Sequence, residues 1–314
     1  MKLLKTLRDG DKVSDIYFCK QKNSLVTKAG KNYDSLILQD RSGTMDAKVW
    51  EPNSAGIDDF DAMDYVEIMG DVSSYNGQLQ LSVKRARRVR PELINPEDFF
   101  PVSSKNNDEM YARLKELIAG VKNPYLNRML NMLFVEDEEF ADKFRRSSAA
   151  KSMHHGFVGG LLEHTVSVAN LCEYLARTYE VLNHDLLITA ALCHDIGKVR
   201  ELSLFPENDY TDEGQLLGHM IIGCELTGAK MDRIEGFPAV LRNELHHCIL
   251  AHHGEYEYGS PKKPALVEAL ALHFADNTDA KLEMFKEALD NSTETGWLGF
   301  NRIFDSNIRA TRIE

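Results

Sequence analysis

The chain has no apolar run approaching the ~20 residues that a membrane-spanning helix requires. Its start, Met1-Lys-Leu-Leu-Lys-Thr6, has no apolar signal-peptide region. Together these absences predict a soluble, cytoplasmic protein with no membrane partner. Cysteine is sparse. The five residues, Cys19, Cys172, Cys193, Cys224 and Cys248, are scattered and form no Cys-x-x-Cys pair. That excludes a zinc-ribbon spacing and a disulfide framework, and predicts reduced, mostly buried thiols. Positive charge is also short. Lys and Arg number 37 against 49 Asp and Glu, a net charge of −12, which argues against a general nucleic-acid coat protein. Internal repeats and low-complexity tracts are missing as well.

What charge there is falls unevenly. Residues 1–92 hold 15 basic and 14 acidic residues, and the remainder holds 22 and 35. An acidic domain that attracts cations, joined to a near-neutral domain with a local basic strip, fits this distribution. A length of 314 residues with 43% hydrophobic content predicts roughly two domains with ordinary cores.

The first domain reads as strands. Val13–Cys19, Tyr33–Gln39, Thr44–Trp50, Tyr65–Gly70 and Gln78–Val83 show full or partial alternation. Turns are signalled at Asp40-Arg-Ser-Gly43 and at Asn76-Gly77. A helical or irregular insert is expected near 53–63. Five strands in this order predict a small Greek-key barrel. Leu38-Gln-Asp-Arg-Ser-Gly43 and Tyr75-Asn-Gly-Gln-Leu-Gln80 resemble the OB-fold, which binds nucleic acids, sugars and proteins. Single-stranded nucleic acid would need aromatic faces for bases and cations for phosphates. The candidates are Tyr17, Phe18, Tyr33, Trp50 and Tyr75, with Lys48 and the strip Lys84–Arg90, including Arg85, Arg87 and Arg88. Alternation predicts that about half of these aromatics face the core. The strip can equally be a solvated edge that discourages strand pairing.

Prolines 91, 96 and 101 mark a linker. The expected organisation is a barrel domain over 1–92, a linker over 93–107 and a helical domain over 108–314, giving a multidomain α+β protein. The helical domain is organised around Leu187-Ile-Thr-Ala-Ala-Leu-Cys-His-Asp-Ile-Gly-Lys198. Six of its first seven residues are apolar or small, as suits a helix buried on all sides. The helix runs into His194-Asp195, with Gly197 placed to stop it and Lys198 after it. Burying such a pair is costly unless it is paired or bound to metal.

Other candidate ligands sit in or at the ends of neighbouring helical segments: His164 within about 158–179, His219 opening a helix, His252 and His253 closing 238–253, and Asp276 inside 265–289. Each histidine alone is an ordinary core or surface residue; together they read as a metal site. Mixed imidazole and carboxylate donors suit Mn, Fe, Co or Zn better than calcium. His154 and His155 are candidates for contacting substrate phosphates, with a helix-capping loop pair as the alternative. His246 and His273 are expected to support the centre or its core, and Gly259-Ser-Pro-Lys-Lys-Pro264 to act as a lid or a plain connection. Arg302, Arg309 and Arg312 hold nucleic acid or form a basic tail.

The order His, His-Asp, His, His-His, Asp over about 150–290 resembles the HD superfamily of metal-dependent phosphohydrolases. The resemblance implies a minimal site of His164, His194, Asp195 and Asp276. The additional His219, His252 and His253 match its two-metal members, in which paired ions clamp the attacking and leaving oxygens of phosphoryl transfer. Asp195 would bridge the ions, and Lys198 would neutralise the scissile phosphate.

An OB-fold followed by an HD domain resembles, across nearly the whole chain, the YhaM family of bacterial 3′-to-5′ exoribonucleases. The stretches that carry this are Lys151-Ser-Met-His-His-Gly156, Gly159-Gly-Leu-Leu-Glu-His164, Ala251-His-His-Gly-Glu255 and Gly259-Ser-Pro261. The resemblance implies two divalent ions, manganese foremost, and release of nucleotides from the 3′ ends of single-stranded RNA, with single-stranded DNA a further substrate. A homo-oligomer is left open. One rival is a phosphodiesterase for a cyclic dinucleotide or other small nucleotide; the Gly-Tyr-Pro signature of one such group is absent after Lys198. The other is a non-enzymatic nucleic-acid-binding regulator with a structural metal, which would have no use for so many ligands.

Overall fold

The computed structural model describes residues 2–95, 98–151, 156–290, 292 and 296–312. The chain forms two compact units, one of residues 1–102 with 204–208, the other of 103–203 with 209–314.

The first unit is a closed barrel of β1 (Lys12–Val26), β2 (Asn32–Asp40), β3 (Gly43–Val49), β4 (Tyr65–Tyr75) and β5 (Gln78–Val89). Its strand order is β1-β2-β3-β5-β4, with β4 returning to β1. Only β3 and β5 run parallel. This is the OB-fold arrangement. Inward positions alternate along the strands and fill the interior with Leu36, Leu38, Ala47, Val49, Val66, Ile68 and Leu81. Asn76 and Gly77 both take positive φ, at 50° and 80°, so the β4–β5 hairpin turns where the Asn-Gly pair predicts. Bulges between Cys19 and Gln21 and at Met69–Gly70 bend the strands so that the sheet can close. The insert near 53–63 holds no helix and touches the barrel through an Ile57–Ala86 bridge.

Two aromatic candidates are corrected here. Tyr17 and Phe18 are 0% and 1% exposed, although alternation should turn one of two neighbours outward. Tyr17 fills the barrel interior, and Phe18 is covered on the other side by Tyr65 and Phe100, at ring separations of 5.3 and 5.0 Å. Phe100 comes from the stretch expected to be linker. Its described residues up to 102 belong to the barrel unit, where Phe99 and Phe100 are buried. Two adjacent phenylalanines outweigh the proline punctuation because leaving them in water would forgo ~1.5–3 kcal/mol each.

The second unit contains α1 (Asn107–Gly120), α2 (Pro124–Phe134), α3 (Glu138–Arg146), α4 (Gly160–Thr178), α5 (His184–Cys193), α6 (Lys198–Glu201), α7 (Asp212–Met231), α8 (Ala239–Ala251) and α9 (Val267–Asp290). A hairpin of β6 (Trp297–Asn301) and β7 (Ser306–Arg309) follows. Asn106, Asn123, Asp137, Asn183 and Thr211 cap helix N-termini with their side chains. α5 lies in the middle: every residue from Leu186 to Cys193 is buried, as its unbroken apolar run predicts. No helix among the described residues is long and apolar enough to cross a membrane.

Gly197 does not stop α5 by turning left-handed. Its φ is −62°, and it is the residue from which α6 starts. Its role is space: a Cβ at this position would lie 1.9 Å from the His219 carbonyl oxygen. Gly218, by contrast, takes φ 73° and ψ 158° and breaks α7 one residue before His219. The break needs glycine because side chains rarely tolerate that backbone region.

Candidate metal centre

Five elements deliver seven donor residues to one place. His164 comes from the early part of α4, and His194 and Asp195 from the residues just past α5. His219 opens the second half of α7. His252 and His253 follow α8, and Asp276 lies on α9. His164, His194, Asp195 and His252 are almost fully buried.

The donors form two groups that meet at one carboxylate. On one side, Asp195 Oδ2 lies 3.4 Å from His164 Nε2 and 3.4 Å from His194 Nε2. Those two nitrogens are 3.2 Å apart, and Asp276 Oδ1 is 3.1 Å from His164 Nε2. On the other side, Asp195 Oδ1 lies 3.5 Å from His219 Nε2 and 3.7 Å from His252 Nε2. His219, His252 and His253 hold donor atoms within 4.8 Å of one another, as do His164, His194 and Asp195. Donors bound at ~2.1 Å to one cation must lie roughly 3–3.5 Å apart, so both groups have the right spread.

The imidazoles are aimed. His194 Nδ1 donates to the Ala191 carbonyl at 2.8 Å, His252 Nδ1 to the Ile249 carbonyl at 2.6 Å, and His253 Nδ1 to the Tyr258 carbonyl at 2.9 Å. His164 Nδ1 donates to Asp279 at 2.7 Å and His219 Nδ1 to Glu201 at 3.0 Å. Carbonyls and carboxylates accept, so the proton must sit on Nδ1 in all five rings. Each Nε2 is left to present its lone pair inward, the tautomer a metal ligand requires. Glu201 also accepts the His219 backbone N–H at 2.9 Å. The Gly218 break frees that amide, and Glu201 holds both ends of the residue.

The donors fit divalent cations. Asp195 Oδ1, His219 Nε2 and His252 Nε2 are buried with no hydrogen-bond partner, and an orphaned buried polar atom is costly. His194 Nε2 and His164 Nε2, 3.2 Å apart, need a proton or a cation between them. The electrostatics agree. Burial disfavours a charged His164, yet Asp276 and Asp279 overcome this and raise it to about 10, so the carboxylates draw positive charge to this point. Burial, with His253 and His194 nearby, holds His252 well below its usual range, leaving a neutral imidazole. Burial works against ionised Asp195, but the Lys198 ammonium at 2.7 Å and the surrounding imidazoles keep its carboxyl well below the usual range. Lys198 is in turn raised, because Asp195 outweighs the burial that lowers it.

A cavity of about 190 Å³ opens onto the centre, lined by His164, Asp195, Lys198, His253, Tyr258 and the α9 face of His273, Asp276, Asn277 and Ala280. No serine or cysteine stands among its lining residues, counted over the described residues.

On the barrel, Tyr33 and Trp50 stack with ring centroids 5.2 Å apart and planes 28° from parallel. Trp50 and Tyr75 are exposed. The basic strip lies on β5 facing acids on β4 and just before it: Lys84 pairs with Asp71, Arg87 with Glu67 at 2.9 Å, and Arg88 with Asp64 at 2.7 Å.

The HD domain family matches residues 161–281. A 3′-5′ exoribonuclease YhaM from Bacillus subtilis (strain 168) is 37% identical over 285 residues, covering 90% of this chain and 88% of the relative. Another YhaM, from Listeria innocua, is 36% identical over 266 residues, covering 84% and 83%. The chain belongs to the YhaM family. Among solved structures, the second OB-fold domain of replication protein A from Methanococcus maripaludis aligns with 28% of this chain and 94% of that domain, at 18% identity and a TM-score of 0.22.

In this YhaM-family chain the seven donors expected from the sequence all converge. His154 and His155 lie outside the described residues. Lys198 reaches the centre but bonds Asp195 directly. His246 lies away from it and meets Thr227 at 3.2 Å. His273 borders the cavity and donates from Nδ1 to the His252 carbonyl at 2.9 Å. Asp279 and Glu201 were not foreseen. Asp279 had a signal, since it follows Asp276 by one turn on the same helix face. Glu201 had none, because it depends on how α6 meets the broken α7.

Proposed function

We propose that this chain is a metal-dependent 3′-to-5′ exoribonuclease that hydrolyses single-stranded RNA to nucleoside monophosphates, and single-stranded DNA as a second substrate, in the cytoplasm. The observation that carries the reading is the Asp195 carboxylate, whose two oxygens each face a separate group of imidazoles. That arrangement suits two divalent ions, with manganese as the working assignment. His164, His194, Asp195 and Asp276 would hold one; Asp195, His219, His252 and His253 would hold the other. Bound ions would supply Lewis acidity and a water activated near neutral pH.

The chain's own residues do the rest. Asp279, Glu201 and three backbone carbonyls keep the Nδ1 protons in place, so every ring stays oriented. Lys198 carries a fixed positive charge in the cavity wall, suited to neutralising a scissile phosphate. No serine or cysteine stands among the described lining residues, which fits attack on phosphorus by an activated water. The barrel, residues 1–92, would grip RNA: Tyr33, Trp50 and Tyr75 offer ring faces, and Arg85, Arg87 and Arg88 offer charge further along β5 from the Tyr75 end. His154 and His155 stand as further substrate contacts of the helical domain, 108–314.

The test is a 5′-labelled single-stranded RNA incubated with protein that has been stripped with a chelator and reloaded with manganese. The expected result is a ladder shortening from the 3′ end, release of nucleoside monophosphates and two ions per chain. Hydrolysis of a cyclic dinucleotide with the RNA left intact would favour the phosphodiesterase rival. One fully occupied ion per chain under excess manganese would remove the two-ion reading.

A further inference from the structure

The loop between α8 and α9 does more than connect. It is stitched in place at both ends and in the middle. Ser260 Oγ donates to the Leu250 carbonyl at 3.0 Å or the Lys262 carbonyl at 2.6 Å. Lys263 pairs with Glu255, and the Ala265 N–H donates to His247 Nε2 at 2.9 Å. Residues Tyr256–Tyr258 form a single 3₁₀ turn inside this frame. The loop expected to be a lid or a plain connection is therefore a fixed ledge.

The ledge carries two exposed tyrosines, and they differ. Tyr256 is 60% exposed, but the Lys263 ammonium sits 5.3 Å from its ring centroid, so one face is already used. Tyr258 is 64% exposed and borders the cavity at the metal centre. Its backbone carbonyl holds His253 Nδ1 at 2.9 Å. Main chain and side chain thus have separable work. The Tyr258 ring is exposed beside the cavity, where a bound ligand can reach it.

The cavity's size says what the ring is for. At about 190 Å³ it is smaller than the ~300–1,000 Å³ of pockets that enclose a whole drug-sized ligand. It can take a sugar and its phosphate, and the attached base must lie outside. Resting on the exonuclease reading above, we propose that Tyr258 is the stacking platform for the base of the RNA's 3′-terminal nucleotide, and that Asn277, which also lines the cavity, faces its sugar. Stacking accepts any base because every base has a π-face, so the ledge would grip an RNA end of any sequence.

The experiment compares full-length RNA substrates ending in an ordinary 3′ nucleotide or in an abasic one. Removing the terminal base should raise the wild-type KM by roughly 5- to 150-fold, the range for one base–aromatic stack. Tyr258→Ala should show that raised KM on the ordinary end and should no longer distinguish the two ends. Tyr258→Leu, which keeps bulk without a π-face, should match it, and Tyr258→Phe should restore the preference. The metal content of all three should equal that of the wild type, because the carbonyl on His253 remains. Tyr256→Ala should keep the wild-type preference. A Tyr258→Ala enzyme that still prefers the base-bearing end by the full wild-type factor would overturn the proposal and leave the exonuclease reading standing. Wild-type protein that shortens neither RNA would instead overturn both.

Discussion

Arg87 and Glu67 face each other across β4 and β5 with side chains 72% and 40% exposed, whereas His164 and Asp195 in the helical unit are 3% and 2% exposed. The same kinds of charged group therefore meet under opposite conditions. On the barrel, water screens the pairs, and each contributes little to stability. They can exchange partners with a phosphate at small cost. In the helical unit, water is excluded, each imidazole is tied by its outer nitrogen, and the inner nitrogens of His219 and His252 have no hydrogen-bond partner. Such a group of donors holds cations or pays a desolvation penalty. The contrast assigns adaptable grip to the barrel and fixed chemistry to the helices.

The sharpest way to break that division is Asp195→Ala. It should abolish turnover and lose both ions by metal analysis, while filter binding to RNA stays near the wild-type level. Near wild-type exonuclease rates with both ions retained would show that the pair is only a helix end. Lys198→Ala should separate from it cleanly: ions kept, with the rate lowered ~10²-fold, the scale for removing one electrostatic stabiliser of a transition state.

The next largest effect concerns residues that touch only the outer edges of the rings. Asp279→Ala and Glu201→Ala should each weaken metal affinity ~10- to 100-fold, read by titration against a competing chelator, with activity returning at high manganese. Unchanged affinity would mean that packing alone aims the rings. A smaller effect is expected from removing the barrel. A chain beginning at Ser103 should still hydrolyse a nitrophenyl ester of a nucleotide and should lose efficiency mainly on long RNA, through KM. Loss of small-ester turnover in folded protein would show that the barrel completes the active site.

The smallest effect tests a half-buried pairing inside the helical unit itself. His184 contacts Asp185 at 3.0 Å and Glu173 at 2.9 Å. Burial lowers it, but these carboxylates outweigh that and raise it above its ordinary 6.5. Burial raises Glu173 and Asp185, but His184, with Arg177 beside Glu173 and the Lys122 and Asn123 amides on Asp185, brings both below their ordinary 4.5 and 3.8. A raised histidine stabilises the fold fully below its ordinary value and loses that contribution as pH rises through the folded one. The lowered carboxylates contribute above their ordinary values and lose it on acidification. The trio should therefore help most between its ordinary 4.5 and 6.5. Denaturation midpoints at roughly pH 6 and roughly pH 9 should differ slightly more in the wild type than in His184→Gln; identical differences would show that the trio is only a surface contact.

Legibility in the sequence followed the range of the forces involved. Alternation in β2 and β3, and the Asn76-Gly77 turn, are local and were readable. So was α5, because an unbroken apolar run has few other uses. The seven donors were readable as a set, since histidines at several helix ends are improbable by chance. Gly197 misled because its value lies in the close approach of His219, a tertiary contact between α6 and the broken α7 that local pattern does not show. Tyr17 and Phe18 misled for a related reason: a strand covered on both faces loses its alternation. Glu201 was invisible, as its partner is exposed only by the backbone break at Gly218.

The donors are also spread along the order of synthesis. α4, α5, α7 and α8 each bring part of the set, but Asp276 and the Asp279 that anchors His164 come on α9, after all the others. Without α9 the group of His164, His194 and Asp195 would lack Asp276 and the Asp279 anchor, so the binding energy of an ion held there would be available only once α9 has folded into place. A nascent or clipped chain missing α9 would be a weak metal binder and a poor nuclease. On the proposed two-ion reading, the first group of donors would be completed only when α9 has been made.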